Sequence, residues 1–222
     1  MLVKICGITR PEDAERAIRR GAGALGFVFW PDSPRFIAPS KAWEIIRELP
    51  PFVTAVGLFV NQPSAHINEV AAAAGLGAIQ LQGDERPTQA DELTRPVIKA
   101  IALERVTDEE VDSWPSRRLL LVDAHDPVRR GGTGRLADWT KAAALAARRP
   151  IVLAGGLNAE NVEEAIGRVR PYAVDVASGV EASPGVKDHA KLDAFFEAVK
   201  RTHGSSEPFG ADSASRIAGG TR

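Results

Sequence analysis

Apolar residues in this chain come in short unbroken runs, and each run is followed by a stretch of helix-forming composition. Continuous apolar runs predict strands covered on both faces, because a strand with one wet face would alternate apolar and polar positions. The runs are Leu2–Cys6, Ala24–Phe29, Val53–Val60, Ala78–Gln82, Val97–Leu103, Leu119–Asp123, Ile151–Ala154 and Tyr172–Ala177. The helical stretches between them carry their own punctuation. In the first, Pro11 suits the opening turn, Glu12 and Asp13 suit its positive end, Arg19 and Arg20 its negative end, and Gly21 stops it. Ser40 predicts the cap of a second helix running to about Leu49, Ser64 opens an alanine-rich third, and Asn158 predicts the cap of one ending near Val169. Further helices are expected over Thr88–Thr94, Thr107–Trp114, Asp138–Arg148 and His189–Thr202.

Eight strand–helix units in one chain predict a single-domain (β/α)8 TIM barrel over residues 1–202. An open doubly wound sheet is the alternative. No Gly-x-Gly-x-x-Gly follows its first strand and no acidic residue ends its second, which weighs against it. Residues 203–222, rich in Gly, Ser and Ala, are expected to be a disordered tail.

Composition narrows the function classes. The 222 residues carry a net charge of −1, so no basic field draws the chain to nucleic acid or an anionic membrane. No apolar run approaches the length of a membrane span, and no signal peptide is expected at the start. A single cysteine excludes an internal disulfide and fits a reducing compartment, so a cytoplasmic protein is expected. His66, His125, His189 and His203 are scattered without metal-ligand spacing, and no metal is expected.

In such a barrel the strand C-termini and the loops after them form the active-site rim. Cys6 ends the first strand, Arg35 follows the second, Gln80 and Gln82 end the fourth, and Asp123 ends the sixth. Gly155 and Gly156 follow the seventh strand, and Ser178 and Gly179 the eighth. These last two turns expose backbone N–H groups near helix starts, which is the usual phosphate site of the fold, although tight turns alone also use glycine. Cys6 reads either as a buried small hydrophobe or as a base; a base needs its pKa lowered, and Lys4 on the same side of the strand is placed to help. Asp123 reads as a proton donor, as a helix cap or as a partner for an arginine. Arg35 is the candidate to grip a substrate carboxylate through its fork, with a surface salt bridge as the alternative. The run Gly131-Gly132-Thr133-Gly134 reads as a mobile lid or a solvated linker.

Seven motifs in order carry a resemblance: Lys4-Ile5-Cys6-Gly7-Ile8-Thr9; Ser33-Pro34-Arg35; Gln80-Leu81 with Gly83; the strand ending in Asp123; Gly131-Gly132-Thr133-Gly134 before Asp138-Trp139; Leu153-Ala154-Gly155-Gly156-Leu157; and Ser178-Gly179-Val180-Glu181 with Pro184-Gly185. Together they resemble the phosphoribosylanthranilate isomerases of tryptophan biosynthesis, from the first strand to the last helix. The resemblance implies a cofactor-free Amadori rearrangement of N-(5-phosphoribosyl)anthranilate, a small phosphosugar, by a monomer or homodimer. It implies Cys6 as general base and Asp123 as general acid. Arg35 would hold the anthranilate carboxylate, and Gly155, Gly156, Ser178 and Gly179 the phosphate. Gln82 stands where many members have histidine, and Ala137 where an aromatic is usual. The competing readings are a related phosphosugar isomerase or epimerase, which would carry an aspartate at position 6 or metal ligands at strand ends, and a non-catalytic phosphate-binding barrel.

Overall fold

A computed structural model describes residues 1–123 and 138–202 of the chain. Eight parallel strands close into a barrel: β1 (Leu2–Cys6), β2 (Ala24–Val28), β3 (Thr54–Phe59), β4 (Ala78–Leu81), β5 (Val97–Ile101), β6 (Leu119–Val122), β7 (Ile151–Leu153) and β8 (Ala173–Val176). Around them lie α1 (Pro11–Arg20), α2 (Pro39–Ile46), α3 (Ser64–Ala74), α4 (Pro87–Asp91), α5 (Asp108–Ser113), α6 (Trp139–Ala146), α7 (Val162–Val169) and α8 (His189–Arg201). The open-sheet alternative is excluded by the pairing of β1 with β8, in which Lys4 lies opposite Asp175. A short hairpin, β9 (Glu181–Ser183) with β10 (Val186–Lys187), stands on the rim after β8. The strand pattern does not foretell it, since its two strands are only three and two residues long and carry no apolar run. Pro184 followed by Gly185 at φ 81° makes its turn.

Strand alternation divides the buried residues into two sets. Ile5, Leu25, Phe27, Ile79, Leu81, Leu120, Ile151 and Val174 point outward and pack with Ala14, Ala17, Leu192 and Phe195 of the helices. Ala100, Leu121, Val152, Ala154 and Ala173 fill the inside of the barrel. Lys4, Gln80 and Asp175, all buried, alternate with outward-facing apolar neighbours and so add a polar layer to that interior.

Several helix starts follow the sequence. Thr107 and Glu110 form a reciprocal capping box before α5, and Asp138 and Asp188 cap α6 and α8. Two differ. The second helix begins at Pro39 with Ala38 as its cap, because proline already supplies the helical φ and its missing N–H is one that the first helical position leaves unpaired anyway. Asn158 caps a turn instead of a helix: its Oδ1 accepts from the N–H groups of Glu160 and Asn161, and α7 starts only at Val162.

The loops after β3 and β4 are tied by a buried carboxylate. Glu85 accepts from the backbone N–H groups of Asn61 (2.8 Å) and Gly83 (3.1 Å) and from Lys99 Nζ (2.8 Å), with no side-chain exposure of its own. Lys99→Met leaves that charge buried and uncompensated, and is expected to cost about 3–5 kcal/mol in urea unfolding. Adding Glu85→Gln is expected to return part of the loss; an equal or greater loss in the double variant counts against the pairing.

Candidate active site

At the C-terminal end of the strands, interior positions open into a cavity of about 810 Å³. Cys6, Arg35, Gln82 and Asp123 line one continuous wall system, with Gly155, Gly156 and Ser178 at the β7–β8 side. Cys6 and Asp123 are thus brought to one space from strands three steps apart round the closed barrel.

Cys6 is 6% exposed and its thiol shares a narrow place with Lys4. A Cβ on Gly26, the register partner of Cys6 on β2, would lie 2.9 Å from Cys6 Sγ and 3.1 Å from Lys4 Nζ. The missing side chain of Gly26 is therefore what gives thiol and ammonium room together, a residue that the strand pattern alone does not single out. Lys4 Nζ also donates to Asp175 Oδ1 at 2.9 Å. Burial alone would pull the Lys4 ammonium down, but Asp175 and then Cys6 outweigh it and hold it above the ordinary lysine range. The expected lowering of the thiol is not what the site produces. Burial pushes Cys6 up, and the positive charges of Lys4 and Lys187 oppose that without cancelling it.

Arg35 lines the cavity, mostly buried, which removes the surface salt bridge as an account of it. Its fork, expected to be open to a ligand, is engaged by Glu181: Nε reaches Oε1 at 2.9 Å and Nη2 reaches Oε2 at 2.6 Å. Nη1 takes no part in that pairing. The arginine stem crosses Gly7, where a Cβ would stand 2.6 Å from Arg35 Cδ. Glu181 also accepts from Lys187 Nζ at 2.8 Å, and the same ammonium donates to the Cys6 carbonyl at 2.5 Å. Burial would raise the Glu181 carboxyl, yet its bonds to Arg35 and Lys187 hold it below the usual carboxylate range.

On the opposite side, Gln82 Nε2 donates to Asp123 Oδ2 at 3.0 Å, and Gln80 Nε2 donates to Gln82 Oε1 at 2.7 Å. Gly155 and Gly156 both adopt positive φ, 81° and 66°, and line the cavity. Gly179 is not among the lining residues. A Cβ there would fall 1.9 Å from the Leu157 carbonyl, so this glycine lets the turn after β8 press on the turn after β7. No group of three or more His, Cys, Asp or Glu suited to a metal occurs among the described residues, and no described helix is long and apolar enough to cross a membrane.

The chain matches the family of N-(5'phosphoribosyl)anthranilate (PRA) isomerase over residues 3–198. It belongs to that family. It is 51% identical over 207 residues to the N-(5'-phosphoribosyl)anthranilate isomerase of Pelobacter propionicus, covering 92% of this chain and 98% of that relative. The crystal structure of phosphoribosyl anthranilate isomerase from Thermus thermophilus superposes with a TM-score of 0.83 at 44% identity, covering 90% of this chain and 99% of that one. A second isomerase structure, in complex with reduced 1-(o-carboxyphenylamino)-1-deoxyribulose 5-phosphate, gives a TM-score of 0.78 at 41% identity, covering 90% and 100% of the two chains.

Within this isomerase site, the residues missed by sequence reasoning are Asp175, Glu181, Lys187 and Gly26. Asp175 had a signal, a carboxylate inside the otherwise apolar strand Ala-Val-Asp-Val. The Gly131-Gly132-Thr133-Gly134 run, Ala137, His125, His203 and the 203–222 tail lie outside the described residues.

Alkylation of Cys6 by iodoacetamide is expected to accelerate with pH, with a midpoint above that of a free thiol. Lys4→Met removes the opposing charge and is expected to move the midpoint higher still. An unshifted midpoint in that variant would separate Lys4 from the thiol.

Proposed function

We propose that the chain converts N-(5-phosphoribosyl)anthranilate to 1-(2-carboxyphenylamino)-1-deoxyribulose 5-phosphate, with Cys6 as general base and Asp123 as general acid. The observation that supports this most is that both side chains line one cavity wide enough for such a substrate. Asp123 gives its proton to the ribose ring oxygen, the ring C1–O bond breaks, and the anilino nitrogen lone pair forms a Schiff base with C1. The thiolate of Cys6 then takes the C2 proton, and the electrons of that C–H bond move to give an enolamine. Tautomerisation yields the ketone. Nothing is oxidised or reduced overall, so no redox partner is needed.

The thiolate that Cys6 must become is the state that Lys4 and Lys187 favour, and burial is what they work against. In this reading Lys4 supplies the charge that balances the thiolate during proton abstraction. Arg35 meets the anthranilate carboxylate through Nη1 while Glu181 fixes the plane of the guanidinium. The phosphate sits against the backbone N–H groups of the turns at Gly155, Gly156 and Ser178, with Gly179 allowing those turns to converge. Residues 1–202 are the catalytic unit on this account, acting on a free small molecule as a monomer or homodimer in a reducing, cytoplasmic setting.

Each proton-transfer group is expected to account for about 10²–10⁴-fold in rate. Cys6→Ala is expected to lose turnover on that scale while still binding a reduced product analogue, followed by the fluorescence of the anthraniloyl group. Normal turnover by Cys6→Ala would remove Cys6 as base, and normal turnover by Asp123→Asn would move the acid elsewhere. Arg35→Ala is expected to raise KM about tenfold or more, since a charged hydrogen bond to the carboxylate is lost. Unaltered KM and kcat would confine Arg35 to holding Glu181.

A further inference from the structure

The wall that carries Asp123 also carries two buried or half-buried amides in series, and the reaction as written above gives them no part. Gln80 is 1% exposed and donates through Nε2 to Gln82 Oε1; Gln82 donates through Nε2 to Asp123 Oδ2. We propose that Gln80 and Gln82 are positioning residues for the acid, a relay of fixed polarity that holds Oδ2 of Asp123. This deepens the acid assignment of Asp123 and rests on it.

The polarity of the relay follows from the donor and acceptor inventory. An ionised carboxylate only accepts, so Gln82 must turn its NH2 toward Asp123 and its oxygen away. That oxygen in turn requires the NH2 of Gln80. Flipping either amide alone would set oxygen against oxygen. Gln80 Oε1 is buried and has no hydrogen-bond partner among the described residues. A buried acceptor left in that state needs a reason. Flipping Gln80 would set its oxygen against Gln82 Oε1. The Asp123 end provides the reason: the orientation of Gln80 serves Gln82, and that of Gln82 serves the carboxylate. Once Asp123 has protonated the ring oxygen, its developing negative charge meets a donor already in place, with no side chain to reorganise.

The two strands that carry the relay explain its rigidity. Gln80 lies within β4, and the backbone N–H of Gln82 is fixed to the Phe59 carbonyl of the neighbouring strand at 2.9 Å. Both amides therefore project from backbone that the barrel holds in place, and the bond between them limits the side-chain freedom of each.

Steady-state kinetics of Gln82→Leu, Gln82→His, Gln80→Leu and the Gln80→Leu/Gln82→Leu pair test this, with thermal unfolding of each protein recorded. Gln82→Leu is expected to lower kcat about tenfold or more with KM changed by less than about twofold, as for a bond that matters only in the transition state. Gln82→His keeps an N–H donor and is expected to recover most of kcat. Gln80→Leu is expected to lower kcat less, and the double variant no further than Gln82→Leu alone, because both act through one bond. In an Asp123→Asn background, Gln82→Leu is expected to leave the residual rate unchanged. Full turnover by Gln82→Leu, a fall carried by KM, or an equal fall in the Asp123→Asn background overturns the relay. The two failures are distinguishable. An active Asp123→Asn protein removes the acid and the relay with it, whereas an inactive Asp123→Asn beside a normal Gln82→Leu removes the relay alone.

Discussion

Closure of the barrel sets Lys4 of β1 directly opposite Asp175 of β8, and the charges around Cys6 depend on that pairing. A buried ammonium without a partner would shed its proton to escape the cost of desolvation. Asp175 keeps Lys4 charged, and the charged Lys4 is the group that makes a thiolate tolerable at Cys6. Gly26 keeps the two groups together, because a side chain there would crowd both the sulfur and the ammonium.

A second set of charges shapes the rim. Arg35, Glu181 and Lys187 link the loop after β2, the hairpin after β8 and the carbonyl of Cys6 into one buried network. Each member has its charge answered, so the network is tolerated in a place that solvent hardly reaches. It positions a guanidinium whose stem rests on Gly7, immediately after Cys6. Cys6 and Arg35 are therefore held in fixed relation by the same few bonds. Lys99 and Glu85 do similar work on the loops after β3 and β4.

The two ends of the cavity differ in kind. The thiol is bordered by ammonium groups, which favour its charged form. Asp123 meets the neutral amide of Gln82 among the described residues. The wide separation of their strands round the barrel lets each keep its own surroundings within a single space.

The continuous apolar runs were enough to place eight strands, and the run of turn and cap residues enough to place most helices between them. Burial on both faces leaves a strand no polar alternation, and that signal is local. Strand ends then put Cys6, Arg35, Asp123 and the two glycine turns on one rim, since every strand of a parallel barrel points the same way. Partners were another matter. That Lys4 belongs with Asp175, that Glu181 occupies the fork of Arg35, that Gly26 makes room for the thiol and that Gly179 serves packing depend on residues from 20 to 171 positions apart. The balance between burial and charge at Cys6 likewise belongs to the folded site, because a sequence shows which charges exist and only the closed barrel decides how much water they lose.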